Sequence, residues 1–197
     1  MMNTYLKTLR KSFLSNHEKM LTWIDEKENH ELIPFYSSVD IRISDFKCSV
    51  IDTNIFPAGF NNICDQNMPT ASQRLKDVIF QKRKAVKNIL IVTEEHTRNK
   101  WYLENIYTLK RLLENAGFNV NLGTNIENSS GNSKKETKLT LESATGKKLE
   151  IECLNEYLSF KKPVDFIILN NDLSNGVPEA LVNSSIPIYP SIEAGWA

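Results

Sequence analysis

The chain has no long apolar run, no surplus of either charge and only three cysteines, and each shortage narrows what it can be. Its longest apolar stretches are a few residues, far below the roughly 20 that a helix needs to cross a bilayer. The opening residues, MMNTYLKTLRKSF, lack the apolar core of a secretory signal. With 24 basic residues against 24 acidic ones, no basic excess exists to displace the counterions of nucleic acid. Cys48, Cys64 and Cys153 show no CxxC spacing and cannot all pair, which fits a reducing compartment and argues against a zinc site. The P-loop, the dinucleotide GxGxxG, the HExxH of zinc proteases and the GxSxG elbow are missing too. Together these absences predict a soluble, cytoplasmic protein with no nucleic-acid or membrane partner, no metal site, no P-loop hydrolysis and no serine-hydrolase chemistry.

What the chain does have is a dense polar stretch at residues 35–62. It sets Ser37, Ser38, Asp40, Arg42, Asp52, Thr53, Asn54, Asn61 and Asn62 among Phe35, Tyr36, Phe46, Ile51, Ile55, Phe56 and Phe60. A core strand would leave some of these polar groups unpaired, at roughly 1–3 kcal/mol each, and a solvent loop would not carry the aromatics. The mixture suits the wall of a polar small-molecule site or an irregular, well-packed connection.

Elsewhere the periodicities are plain. Residues 4–25 predict one amphipathic helix, with Leu6, Leu9, Phe13, Met20 and Ile24 on one side. A second helix is expected to start at Thr70, which with Gln73 makes a capping-box pattern. Residues 88–93 form a continuous apolar run suited to a strand buried on both faces. A helix follows over 100–116, stopped by Gly117, and then a strand over 118–122, a β-α-β unit that predicts parallel pairing. Residues 123–135 read as a surface loop, 137–142 and 148–153 as an inserted β-hairpin, and 164–169 as a third buried strand. A short helix near Pro178 and a last strand over 186–189 complete an α/β chain, divided as 1–86 and 87–197 or packed as one unit.

In open α/β sheets, ligands gather beyond the carboxyl ends of the strands. Two such ends are polar here: Glu94, Glu95, His96, Thr97, Arg98 and Asn99 after one strand, and Asn170, Asn171, Asp172 and Ser174 after another. Asparagines offer donor and acceptor together, Arg98 suits a carboxylate, and Glu95 or Asp172 suits an ammonium group or a metal. The plainer alternative is a helix cap at Thr97 and a turn at 170–172.

Four segments in order, FYSSVDIR, DTNIFPAGFNN, EEHTRNKWYLENI and ILNNDLSNGVP, followed by EAGW, resemble the N-terminal half of the proteobacterial glutamate–cysteine ligase family of the GshA type. The resemblance implies a Rossmann-like sheet of the pre-ATP-grasp kind. It also implies ATP-dependent formation of γ-glutamylcysteine, the first step of glutathione synthesis, with glutamate and cysteine as substrates. The ATP and Mg²⁺ site is then expected largely outside this chain, on a complementing C-terminal half or a further region. On that reading Arg42 and Arg98 pair with carboxylates, and Ser37, Ser38, Asp40, Asp52, Asn54, Asn61 and Asn62 line an amino-acid pocket. Glu95, His96, Asn99, Asn170, Asn171 and Asp172 stand across the crevice. The alternatives are a non-catalytic amino-acid or peptide-binding remnant, or one half of a split ligase that needs a partner chain or its own copies.

Overall fold

The computed structural model describes residues 4–28, 34–95, 99–125, 137–159 and 162–194. It forms two compact units, Met1–Ile55 and Phe56–Ala197. Helix α3 (Met68–Lys82) packs on α4 (Lys100–Asn115) and so belongs with the sheet that follows.

In the first unit the expected single helix is two, α1 (Thr4–Ser15) and α2 (His17–Glu28). Asn16 lies between them, its backbone N–H and its Nδ2 both donating to the Ser12 carbonyl, at 3.1 and 2.8 Å. Most of the dense polar stretch proves to be regular. β1 (Ser38–Ile43) and β2 (Cys48–Asn54) pair antiparallel, with Ile43 opposite Cys48, Ile41 opposite Val50 and Asp40 opposite Asp52. The register shifts at Asp40/Ile41, which leaves Ile51 as the extra residue of a bulge.

The second unit holds a six-stranded sheet. Its strands are β3 (Asn88–Thr93), β4 (Asn119–Thr124), β5 (Lys138–Glu142), β6 (Lys148–Cys153), β7 (Phe166–Asn170) and β8 (Ile188–Tyr189), in the order β5-β6-β4-β3-β7-β8. All neighbours pair parallel except β5 with β6. The inserted hairpin therefore extends the main sheet instead of standing apart. Two short helices, α5 (Leu154–Ser159) and α6 (Glu179–Val182), complete the layers, and α5 is not expected from the sequence pattern.

The central strands are buried as their apolar runs require: Ile89, Leu90, Ile91 and Val92 in β3, and Phe166, Ile167, Ile168 and Leu169 in β7. Helix α4 supplies Leu103, Ile106, Leu109, Leu112 and Leu113 to the same core. It ends where Gly117 takes φ +97°, a conformation in which a Cβ is strained. Close packing constrains Gly123 in β4, where an added Cβ would stand 3.3 Å from Leu90 Cδ1 and 3.5 Å from Leu154 Cδ1. Helix α3 starts two residues before the expected Thr70, with Pro69 in its first turn, where the missing N–H costs nothing. Gln73 does not reach back to complete a capping box; its Nε2 donates to Asp77 Oδ1 at 2.8 Å.

Asp165 locks β7 to β3 at the entry to the sheet. Its Oδ2 accepts from the backbone N–H groups of Asn88 (2.8 Å) and Lys87 (2.9 Å) and from Asn88 Nδ2 (3.1 Å). The Asn88 amide first, then Lys87 and the Asn88 side chain, hold the carboxyl below its ordinary range against the opposing effect of burial. A depressed folded-state pKa means stability present above the unfolded value, near 3.8, and lost as pH falls through the lower folded value. Asp165→Ala is expected to cost about 1–2 kcal/mol at neutral pH, the low end for charged hydrogen bonds because water reaches the group. Urea melts of both proteins should converge as pH drops below that window; a gap unchanged at low pH would deny the carboxylate this role.

Candidate active site at the carboxyl edge of the sheet

Chain order makes β6-β4-β3-β7-β8 the third, second, first, fourth and fifth of the parallel strands. The order reverses between β3 and β7, and a crevice opens beyond strand ends at such a point. Thr93 stands opposite Asn170 at these two ends. Glu95 and Asp172 thus each lie two residues past a matched pair, on the same edge of the sheet.

Beneath the edge runs a buried polar network. Asn105, fully buried in α4, accepts from the Phe60 N–H through Oδ1 (3.0 Å) and donates through Nδ2 to Asn170 Oδ1 (3.1 Å). Asn170 in turn donates through Nδ2 to the Pro57 carbonyl at 2.9 Å. Tyr102, one helical turn before Asn105, donates its hydroxyl to the Asn170 carbonyl (2.7 Å) and accepts from the Glu94 N–H (3.0 Å). These bonds seat the segment bearing Asn61 and Asn62, whose short turn Phe60–Asn62 begins at the bonded N–H, against the end of β7. Both Asn105 and Asn170 spend their side-chain groups on protein partners, as burial demands.

Above that layer the groups are more accessible. Glu95, half-buried, accepts from Asn125 Nδ2 at 2.9 Å and from Asn175 Nδ2 at 3.5 Å. A carboxylate has room for about four such bonds, so Glu95 keeps acceptor capacity. Asn171 donates to the Thr93 carbonyl (3.2 Å) and accepts from the Leu173 N–H (2.8 Å), and Asp172 Oδ1 accepts from the Ser174 N–H (2.9 Å). Leu173, buried with φ +60°, folds the chain back over the edge. Thr124 ties β4 in by donating to the Thr93 and Glu94 carbonyls.

The second unit therefore brings Asn61, Asn62, Glu95, Asn99, Asn170, Asn171 and Asp172 to one sheet edge. Asn99 caps α4, its Oδ1 accepting from the Trp101 and Tyr102 N–H groups, the part the sequence alternative assigned to Thr97. His96 and Arg98 lie outside the described residues, as do Gly195 and Trp196 of the EAGW segment. Ser37, Ser38, Asp40, Arg42, Asp52 and Asn54 belong to the first unit. There Asp40, Arg42, Asp52 and Asn54 are exposed on the hairpin, and Asp52 Oδ1 accepts from the Thr53 N–H. Asn105, Tyr102, Asn125 and Asn175 were not anticipated. For Asn105 a signal existed: an amide inside the apolar stripe of Tyr102, Ile106 and Leu109.

Among the described residues, no group of three or more His, Cys, Asp or Glu side chains is placed to hold a metal ion. None of the described helices is long and apolar enough to cross a membrane. What the edge offers is two carboxylates for a cation beside several amides that can donate to a carboxylate.

No curated protein sequence matches the chain. A crystal structure of a candidate γ-glutamylcysteine synthetase from Methylobacillus flagellatus KT is similar, with a TM-score of 0.77 and 30% identity over 99% of this chain. The alignment covers 46% of that protein, so the chain spans less than half its length. The family model for glutamate–cysteine ligase, GshA, matches residues 10–197. With the match running over nearly every residue of both units, the chain belongs to the GshA glutamate–cysteine ligase family.

Proposed function

We propose that this chain carries the amino-acid-binding part of an ATP-dependent ligase that joins the γ-carboxyl group of glutamate to the amine of cysteine. The observation that carries the reading is that Glu95 and Asp172 each follow by two residues the matched Thr93 and Asn170, where the strand order reverses, with Asn125 and Asn175 bonded to Glu95. The order third-second-first-fourth-fifth supports a Rossmann-like sheet of the pre-ATP-grasp type. In this proposal Glu95 and Asp172 receive the α-ammonium group of an amino acid, and Asn61, Asn62 and Asn171 donate to its carboxylates. Asn105, Tyr102 and Asn170 act one layer below, as positioning residues that keep the two strand ends and the 57–62 segment in register. The remaining candidates, Ser37, Ser38, Asp40, Arg42, Asp52 and Asn54 on the first unit and His96 and Arg98 after β3 in sequence, are proposed as further substrate contacts from residue type alone.

ATP with Mg²⁺ supplies the activation of the carboxyl group as an acyl phosphate in this class of ligase. Among the described residues no group of three or more His, Cys, Asp or Glu side chains is placed to hold a metal ion, and in this proposal the metal chemistry belongs largely to the rest of the ligase. The part left to these residues is to hold one amino acid in fixed orientation, which removes the entropic cost of the encounter with the amine. The family's activity is cytoplasmic in this proposal.

Calorimetric titration with glutamate should show saturable binding. Glu95→Ala should weaken it about tenfold to hundredfold, the worth of one charged hydrogen-bonded contact, without changing the helical circular-dichroism signal. Unchanged affinity would remove Glu95 from the site. The 46% coverage of the similar protein supports a binding part rather than a whole ligase. Mass spectrometry for γ-glutamylcysteine, after incubation with glutamate, cysteine and Mg-ATP, tests this: binding without product supports the proposal, and product would show a ligase active in this chain alone.

A further inference from the structure

Exposed apolar surface is distributed very unevenly over this chain. Eleven of the fourteen exposed large apolar side chains among the described residues lie within Met1–Ile55. Six of them are on the β1–β2 hairpin or its turn. The register sorts the hairpin into two faces, because residues directly opposite share a face. Val39 with Thr53, Ile41 with Val50 and Ile43 with Cys48 make one; Ser38 with Asn54, Asp40 with Asp52 and Arg42 with Ser49 make the other. The hairpin is thus amphipathic, with an apolar face turned to solvent: Val39 is 47% exposed, Ile41 56%, Ile43 47% and Val50 59%.

Such a ribbon is anomalous as a finished structure. Two strands alone are marginal in water, and a contiguous exposed apolar face marks an interaction surface. The second unit shows the contrast, since its six-stranded sheet closes a core and, among its described residues, leaves only Phe80, Trp101 and Val182 as exposed large apolar side chains. The similar structure from Methylobacillus flagellatus aligns over 99% of this chain, hairpin included, and more than half of its own length lies outside the alignment.

We infer that the apolar face formed by Val39, Ile41, Ile43 and Val50 is the seat of the remaining part of the ligase polypeptide, the part that the similar protein has beyond the aligned region. Packing there removes the four side chains from water and gives the hairpin the second layer it lacks. The polar face, with Asp40, Arg42 and Asp52, stays open to solutes. The inference rests on reading the chain as one part of a longer ligase, and the hairpin's role is structural whatever that ligase joins.

The test is a cysteine footprint that needs no activity. Ile41→Cys in this chain, and a cysteine at the aligned position of the full-length Methylobacillus flagellatus protein, are treated with a maleimide. Modification of each site is read by mass spectrometry and referred to the unfolded protein. Reaction in the full-length protein is expected to be at least tenfold slower than in this chain. Equal rates would overturn the inference, because the face would then be open with the whole polypeptide present. Slow reaction in this chain itself, with a dimer in sedimentation, would overturn it in favour of a second copy as the occupant. Neither outcome depends on glutamate binding at Glu95, so a failure here is distinguishable from a failure of the proposed function.

Discussion

Asn105→Ala is expected to destabilise the second unit by roughly 2–5 kcal/mol, out of proportion to the few atoms removed. The substitution removes the acceptor of the Phe60 N–H and the donor to Asn170 Oδ1 in the buried layer under the strand ends. Each buried bond lost in this one-sided way costs about 1–3 kcal/mol, and the vacated volume adds a cavity term. For a domain of this size about 1 kcal/mol moves the melting temperature by roughly 2–4 °C, so calorimetry should register a fall on the order of 10 °C. The network adds a second signature. Asn170 loses one of its partners while keeping the Pro57 carbonyl, so the 57–62 segment should gain amide exchange ahead of the core strands. Asn105→Asp keeps an acceptor for Phe60 but loses the donor to Asn170, and buries a carboxylate that has no cation partner; it should be no more stable than the alanine variant. A melting temperature within 2–3 °C of the parent for Asn105→Ala would mean that water replaces the amide, and that the layer under the crevice is less dry than its burial implies.

Phe166→Ala is expected to cost about 3–5 kcal/mol, the range for removing a buried aromatic ring. Phe166 is fully buried at the start of β7 and stacks on Tyr189 with ring centroids 5.2 Å apart at 13°. Tyr189 belongs to β8, a two-residue strand at the edge of the sheet, and Lys82 Nζ sits 5.7 Å from its ring centre. This stack and the short β7–β8 pairing tie the strand on. Loss of the ring should therefore loosen β8 more than the rest of the sheet. Denaturant melts should give the lower midpoint, and hydrogen exchange should show residues 186–190 opening first. Uniform loss of protection across the sheet would show instead that β8 is fixed by its chain connections.

Legibility in the sequence followed the reach of the interactions. β3, α4 and β4 were readable because local pattern and tertiary burial agree there: an unbroken apolar run, a single apolar stripe, then a glycine where φ turns positive. The placing of the two strand ends on one edge is readable for the same reason, since fold rules make these strands parallel neighbours. The hairpin at 38–54 was harder. Val39, Ile41 and Ile43 do alternate with Asp40 and Arg42, but the polar residues drew the reading toward a binding wall, and the bulge at Ile51 breaks the period in the second strand. The division at Asn16 falls within one continuous apolar stripe, and the start of α3 depends on Pro69 being welcome in a first turn. Neither changes the apolar periodicity that a sequence reading follows. Asn170 is the clearest case of what stays hidden. It reads as a ligand contact, yet its amide is bound to Pro57, 113 residues earlier, and to Asn105 on a helix between them. Only the folded chain shows that its neighbour Asn171 and the carboxylates of Glu95 and Asp172 are the more accessible groups.

The most direct test of the amino-acid site is a titration of the ¹⁵N-labelled chain with glutamate, followed by amide shifts. A site at the strand-order reversal predicts saturable shifts at Glu95, Asn125, Asn171, Asp172 and Asn175, with Asn61 and Asn62 moving at the same midpoint. Shifts confined to other surfaces, or none at millimolar glutamate in the folded protein, would contradict it.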